Sequence, residues 1–221
     1  MSFGGDPAAW LDLIESQVPA ILRLVLTTWD EMPPLPPDAL EDPTTEALCR
    51  ALRRSRTSAS LPFRIDIQMV ELDPAADQNQ GRMDVAFSPM IPNEAYYFCL
   101  ECKRLNTVVG GRRRSLATEY VVQGMLRFVR RQYGDQVRHG GMLAYVLDGR
   151  VDLAIRSVQA AITSYRQDLM IGSDATLRRS RFAPEIERIF ETAHLRDGAI
   201  DPFLIQHIFA PAAGQGSKLT S

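Results

Sequence analysis

The chain has 221 residues, 45% of them hydrophobic, a formal net charge of -2 and a pI near 6.0. That apolar content suffices for one packed domain, and the near-neutral balance excludes a protein that holds nucleic acid by global basicity, leaving only a local patch. Three cysteines exclude a disulfide framework, and the one C-x-x-C, Cys99 with Cys102, falls on a predicted strand whose successive side chains alternate faces, so the cysteines are expected as small core residues.

The N-terminus opens acidic, with Asp6, Asp12 and Glu15, and no apolar run approaches the roughly 20 residues of a membrane span. No membrane partner and a cytoplasmic location are therefore expected. Trp10, Leu13, Ile14, Val18, Ile21, Leu22, Val25 and Trp29 recur three and four apart and predict a helix over 7–30, kinked or divided at Pro19. It reads as a packing or oligomerisation helix. The stiff run Met32-Pro33-Pro34-Leu35-Pro36-Pro37 ends it, giving an N-terminal helical extension over 1–37, a main domain over 38–210 and a Gly/Ser-rich tail over 211–221 expected to be disordered.

Asp42-Pro43 reads as the N-cap and first residue of a helix running to about Arg56. At about 100° per residue, Glu41 projects onto the Thr45, Leu48 and Leu52 stripe that faces the core. Glu46 lies about 140° away, beside Arg50 and Arg53. Both acids also suit the positive end of a helix dipole.

Three strands follow. Phe63-Arg64-Ile65-Asp66-Ile67-Gln68-Met69 alternates apolar and polar, and Asp73-Pro74 to Gly81 reads as a turn. Met83, Val85 and Phe87 then alternate with Arg82, Asp84 and Ala86, which puts Asp84 on the polar face. After a turn containing Pro89 and Pro92, Tyr97, Cys99, Glu101 and Lys103 share one face of the third strand, and Phe98, Leu100 and Cys102 share the other. A hairpin brings Asp84 alongside Glu101 and Lys103. Carboxylates beside an ammonium are the minimum equipment for holding a divalent cation and a water next to a phosphate. Of the 25 basic residues only Lys103 and Lys218 are lysine, which marks Lys103 out, since lysine is a compact point charge that arginine does not replace.

Arg104 and Gly110-Gly111-Arg112-Arg113-Arg114 follow, read as a mobile basic loop able to track a phosphate backbone. A helix is predicted over 115–133, with Val121, Val122, Met125, Phe128 and Val129 on its apolar side and Tyr120, Gln123, Arg127 and Arg131 on the other. Residues 140–149 read as a buried strand, and 151–168 as a long helix. Arg188 to His194 and Phe203 to Phe209 read as a hairpin at the sheet edge. His194 and His207 face each other across it, where hairpin histidines more often hydrogen-bond than bind metal.

Asp84, Glu101 and Lys103, in strand, turn, strand order, resemble the signature of the PD-(D/E)xK, or restriction-endonuclease-like, nuclease superfamily. Met83 stands where that pattern usually has proline. The resemblance covers about 60 residues and extends with the crossover toward Asp148. It implies an α/β fold with an α-β-β-β-α-β core on a mixed central sheet, preceded by the helical extension and followed by the C-terminal hairpin. It implies Mg²⁺, with Mn²⁺ able to substitute, on Asp84, Glu101 and the Cys102 carbonyl, with Lys103 orienting or activating the attacking water. It further implies an additional acid on the first core helix, best met by Glu41, and a Gln or Tyr near the scissile phosphate, met by Gln123 or Tyr120. The expected activity is DNA hydrolysis, RNA remaining open, with Arg104, Arg112, Arg113, Arg114, Tyr120 and Arg127 along the nucleic acid. So short a chain is expected to work with a partner protein or a second copy through its N-terminal helix, as small bacterial restriction or anti-phage defence subunits do. Two alternatives stand beside this reading: a catalytically silent DNA-binding or scaffold subunit of the same fold, and an accidental salt-bridge cluster in an unrelated α/β enzyme.

Overall fold

The computed structural model describes residues 7–58, 60–70, 81–90, 95–132, 134–172 and 175–212. Expectations for the turns over 71–80 and 91–94, for Tyr133 and for the tail beyond 212 fall outside the described residues. The helices are α1 (Pro7–Asp30), α2 (Glu41–Ser58), α3 (Ala117–Tyr120), a π-helical turn (Val121–Met125), α4 (Leu126–Val129) and α5 (Val151–Ser164). The strands are β1 (Phe63–Val70), β2 (Arg82–Pro89), β3 (Phe98–Leu105), β4 (Thr107–Val109), β5 (Arg112–Arg114), β6 (His139–Val146), β7 (Arg178–Arg179), β8 (Ile189–His194) and β9 (Phe203–Pro211). None of the described helices is long and apolar enough to cross a membrane.

Seven strands form one mixed sheet in the order β1-β2-β3-β6-β9-β8-β7, and β4 with β5 forms a separate two-stranded ribbon. β1, β2 and β3 run as an antiparallel meander, because each connection is short; β3 to β6 and β6 to β9 are parallel, because helices intervene. The predicted C-terminal hairpin forms, but β9 lies inside the sheet beside β6, and β7 supplies the edge.

The alternation along β3 sorts the interior into two layers. Phe98, Leu100 and Cys102 pack with Leu48 and Leu52 of α2 and with Ile14, Val18, Ile21, Leu22 and Val25 of α1. Tyr97 and Cys99 pack on the other face with Tyr120, Val121, Met125, Phe128, Ala154, Val158 and Ile162. Helix α1 is thus part of the core rather than an appendage. Its Ile14, Val18, Ile21, Leu22, Val25 and Trp29 are no more than 2% exposed, so the stripe read as available to a partner is buried on the chain's own sheet. Trp29 stacks on Tyr145 at 4.9 Å between ring centroids and donates its indole N–H to the Pro211 carbonyl at 2.6 Å, tying α1 to β6 and β9. Pro19 lies within this one helix without dividing it.

The helix after the ribbon is where the wheel misleads. Its buried side holds Ala117, Tyr120, Val121, Gly124, Met125 and Phe128, while Val122 is 37% exposed. The π-helical turn rotates the register. Gly124 explains how closely this segment approaches the sheet: a Cβ there would lie 2.4 Å from Met142 Cε and 3.6 Å from Glu101 Cγ. The helix also ends at Val129, short of the expected Tyr133.

Candidate functional site

The site forms where β2 and β3 part. Their ladder pairs Phe87 with Phe98, Ala86 with Cys99 and Val85 with Leu100, and continued by one step it would set Asp84 opposite Glu101. Instead Asp84 Oδ2 accepts the Cys102 N–H at 2.7 Å, so the aspartate side chain takes a donor that the pairing would otherwise have used. Beyond this point β3 is held on its other side by β6, with Glu101 beside Met142 and Lys103 beside Ala144.

Lys103 Nζ is the hub. It forms an ion pair with Glu101 Oε1 at 2.8 Å and donates to Glu41 Oε1 at 3.0 Å and to the Cys102 carbonyl at 2.8 Å. Glu41, in the first turn of α2, also accepts the Arg104 N–H on Oε2 at 3.2 Å. The helix begins at Glu41, one residue before the expected cap, and is seated by Thr45, whose hydroxyl meets both the Glu41 carbonyl at 3.0 Å and the Tyr145 hydroxyl at 2.9 Å. The wheel argument for Glu41 over Glu46 therefore agrees with the geometry: Glu46 pairs with Arg50 at 3.6 Å, and half of its side chain is exposed.

Glu101 is wholly buried, and a second cation reaches it: Arg127 Nη1 lies 3.1 Å from Oε1 and 3.3 Å from Oε2. Three carboxylates, Glu41, Asp84 and Glu101, thus share two cations. The unbalanced charge appears at Asp84, whose carboxyl is pushed up to about 7 by burial first and then by Glu101, with Glu41 adding to the effect; Lys103 and the Cys102 N–H pull the other way. Lys103 loses some basicity to burial, but Glu101, Glu41 and Asp84 outweigh that and keep it a firm ammonium. Cys102 itself is fully buried, and burial raises its thiol well above the ordinary value, so only its backbone carbonyl faces the site.

The donors gathered here are oxygens, a hard set suited to Mg²⁺, Ca²⁺ or Mn²⁺ rather than to soft metals. As the side chains stand, the Lys103 ammonium occupies the space between Glu41 and Glu101. Among the described residues no group of three or more His, Cys, Asp or Glu side chains is arranged to hold a metal ion.

The remaining expected residues divide. Arg112, Arg113 and Arg114 are exposed and form strand β5, so the basic segment is a ribbon rather than a loop. Arg104 is half-buried and its guanidinium donates to the Ala39 carbonyl at 3.3 Å, which directs it toward the start of α2. Gln123 is exposed on the π-helical turn. Tyr120 is not on the outer face: it is fully buried, and its hydroxyl meets His207 Nδ1 at 2.9 Å, so it does not contact nucleic acid.

That tyrosine begins a buried chain that the sequence reading did not connect. His207 Nε2 meets the Thr192 hydroxyl at 2.8 Å, the same hydroxyl meets His194 Nε2 at 2.7 Å, and His194 Nδ1 meets the Leu169 carbonyl at 2.7 Å. A carbonyl only accepts, so His194 carries its proton on Nδ1, Thr192 donates to His194, His207 donates to Thr192, and Tyr120 donates to His207. Burial lowers the two imidazoles, to about 4 for His194 and about 3 for His207, which keeps both neutral. Every ring nitrogen is satisfied. These histidines clamp the end of α3 to β8 and β9, and their ring nitrogens are taken up in doing so. Among protein-family models, curated proteins and solved structures, none matches this chain.

Proposed function

We propose that this chain is a metal-dependent nuclease with a restriction-endonuclease-like core, hydrolysing phosphodiester bonds of DNA. The observation that carries the reading is the meeting of Asp84, Glu101 and Lys103 where β2 and β3 separate, with Glu41 on the same ammonium. The order helix, three-stranded meander, helical crossover and parallel strand supports such a core.

In this reading Asp84, Glu101 and the Cys102 carbonyl would hold Mg²⁺, for which Mn²⁺ would substitute. When bound, the ion would supply Lewis-acid polarisation of a phosphoryl oxygen and charge stabilisation for the leaving group. Lys103 would present its ammonium to the attacking water and to the equatorial phosphate oxygens, where charge accumulates as the new P–O bond forms; the water's proton passes to solvent, and the O3′ takes one from solvent as the P–O3′ bond breaks. Glu41 keeps that ammonium in place from the α2 side and so acts by positioning. Arg127, about a third exposed, shares its guanidinium between Glu101 and the phosphate.

The test is nicking of supercoiled plasmid with Mg²⁺ by wild type, Asp84→Asn and Lys103→Ala. The expected result is cleavage by wild type and a loss of at least about 100-fold in each variant. Equal nicking by all three proteins overturns the assignment. Binding without cleavage by the wild type favours the silent, DNA-binding alternative.

A further inference from the structure

We infer that the β4–β5 ribbon is a duplex-reading arm, one that enters the major groove of double-stranded nucleic acid beside the site. The inference rests on the nuclease reading for its ligand and adds the strandedness of that ligand.

The ribbon follows β3 directly, its first residue four beyond Lys103, and so starts from the strand that carries the site. Its root is rigid. Asn106 is fully buried with φ of 53°, a left-handed conformation that asparagine tolerates better than most residues. Its backbone N–H donates to the Ser115 carbonyl at 3.1 Å, closing the ribbon. Its Nδ2 donates to Asp148 Oδ1 at 3.0 Å, and its Oδ1 accepts from Arg113 Nη1 at 3.0 Å. One buried amide therefore fixes the ribbon to the loop after β6 and uses one of the three arginines to do so.

The pairing places the other two. Val109 lies opposite Arg112 and Thr107 opposite Arg114, so these four share one face, and Arg113 with Val108 shares the other. The face turned from the Asn106 anchor is covered at its root, where Thr107 is buried, and toward the tip carries two exposed arginines and Val109, which is 62% exposed. No carboxylate pairs with Arg112 or Arg114 among the described residues. A polyphosphate complements such a face.

Two features choose duplex over single strand. Two strands about 4.8 Å apart with their side chains fit a major groove about 12 Å wide. The segment Thr107–Arg114 carries no aromatic residue, whereas a single-strand binder needs aromatic faces on which bases stack. Guanidinium groups in the groove bond to phosphates or to guanine edges, and the valine is suited to thymine methyls.

The experiment is equilibrium binding of the full chain to a fluorescent 20-mer, as duplex and as single strand, in EDTA so that cleavage does not interfere. Wild type is expected to prefer the duplex by at least about tenfold. The variant R112S/R114S, which changes two exposed side chains, is expected to lose about tenfold or more in duplex affinity and about two units of log–log salt slope. Its thermal midpoint is expected to stay unchanged. Single-strand binding equal to or tighter than duplex binding, or an unchanged duplex affinity in R112S/R114S, overturns the arm. Either result beside Asp84-dependent plasmid nicking sinks the arm alone, whereas failure to bind any polynucleotide sinks the nuclease reading with it.

Discussion

Replacing Asp84 by Asn tests the charge balance of the site without disturbing its shape. The amide keeps an oxygen for the Cys102 N–H, which Asp84 accepts at 2.7 Å, and removes one of the three crowded carboxylates. The wild-type carboxyl stands at about 7 against an ordinary 3.8 because it is buried against Glu101 and Glu41. Each pH unit of displacement is worth about 1.36 kcal/mol, so the ionised form is strained by up to about 4 kcal/mol. Water penetration and relaxation reduce the effect to about 2 kcal/mol. The sign follows from the raised folded value. The carboxyl's contribution is fully present below about 4, where both states are protonated, and is lost as pH rises through about 7. Asp84→Asn is therefore expected to be more stable than wild type at pH 8 by about 2 kcal/mol, a thermal midpoint about 4–8 °C higher, with most of the gap closed by pH 5. Urea titrations at pH 5, 6, 7 and 8 read this directly. A variant that is less stable at pH 8, or a gap that does not change with pH, refutes the reasoning that Asp84 is the uncompensated charge.

Lys103→Met leaves the fully buried Glu101 with the Arg127 guanidinium but without the ammonium and is expected to destabilise by about 3 kcal/mol; denaturant titration should find part of that restored in Glu101→Gln/Lys103→Met. Divalent-cation affinity, followed by calorimetry, is expected to fall about tenfold per pH unit below about 7, where Asp84 takes up its proton; a flat profile argues against Asp84 as a ligand. Thr192→Val strands Nε2 of both His194 and His207 and is expected to cost about 2–4 kcal/mol in urea titration, while an unchanged midpoint shows that the buried chain bears no weight. Glu41→Gln is expected to lower plasmid cleavage at least about tenfold through loss of the ammonium's seat, while Glu46→Gln leaves cleavage unchanged, since Glu46 only pairs with Arg50 on the surface.

What could be read from the sequence was whatever depends on local periodicity. Alternation along β2 and β3 put Asp84, Glu101 and Lys103 on one side of their strands, and helical projection picked Glu41 over Glu46, because both patterns follow from backbone geometry alone. Tyr120 was misplaced for a reason periodicity cannot supply. A tyrosine reads as polar until its hydroxyl finds a buried partner, and His207 is 87 residues away in the chain. Gly124 was the legible warning at that helix, since a glycine amid helix formers marks a close approach, here to Met142 and Glu101. The two adjacent glycines at the tip, Gly110 and Gly111, suggested a flexible loop, but both have positive φ and close the β4–β5 ribbon as a tight turn. The second cation on Glu101 was invisible, because the Arg127 contact depends on the π-helical turn that re-aims the residues after it.

The most direct measurement of the central claim is anomalous diffraction from crystals soaked in Mn²⁺. The account predicts a single strong peak between Asp84 and Glu101, with Lys103 Nζ moved off the Glu101 carboxylate. A peak elsewhere, or none with Lys103 still bridging Glu41 and Glu101, contradicts it.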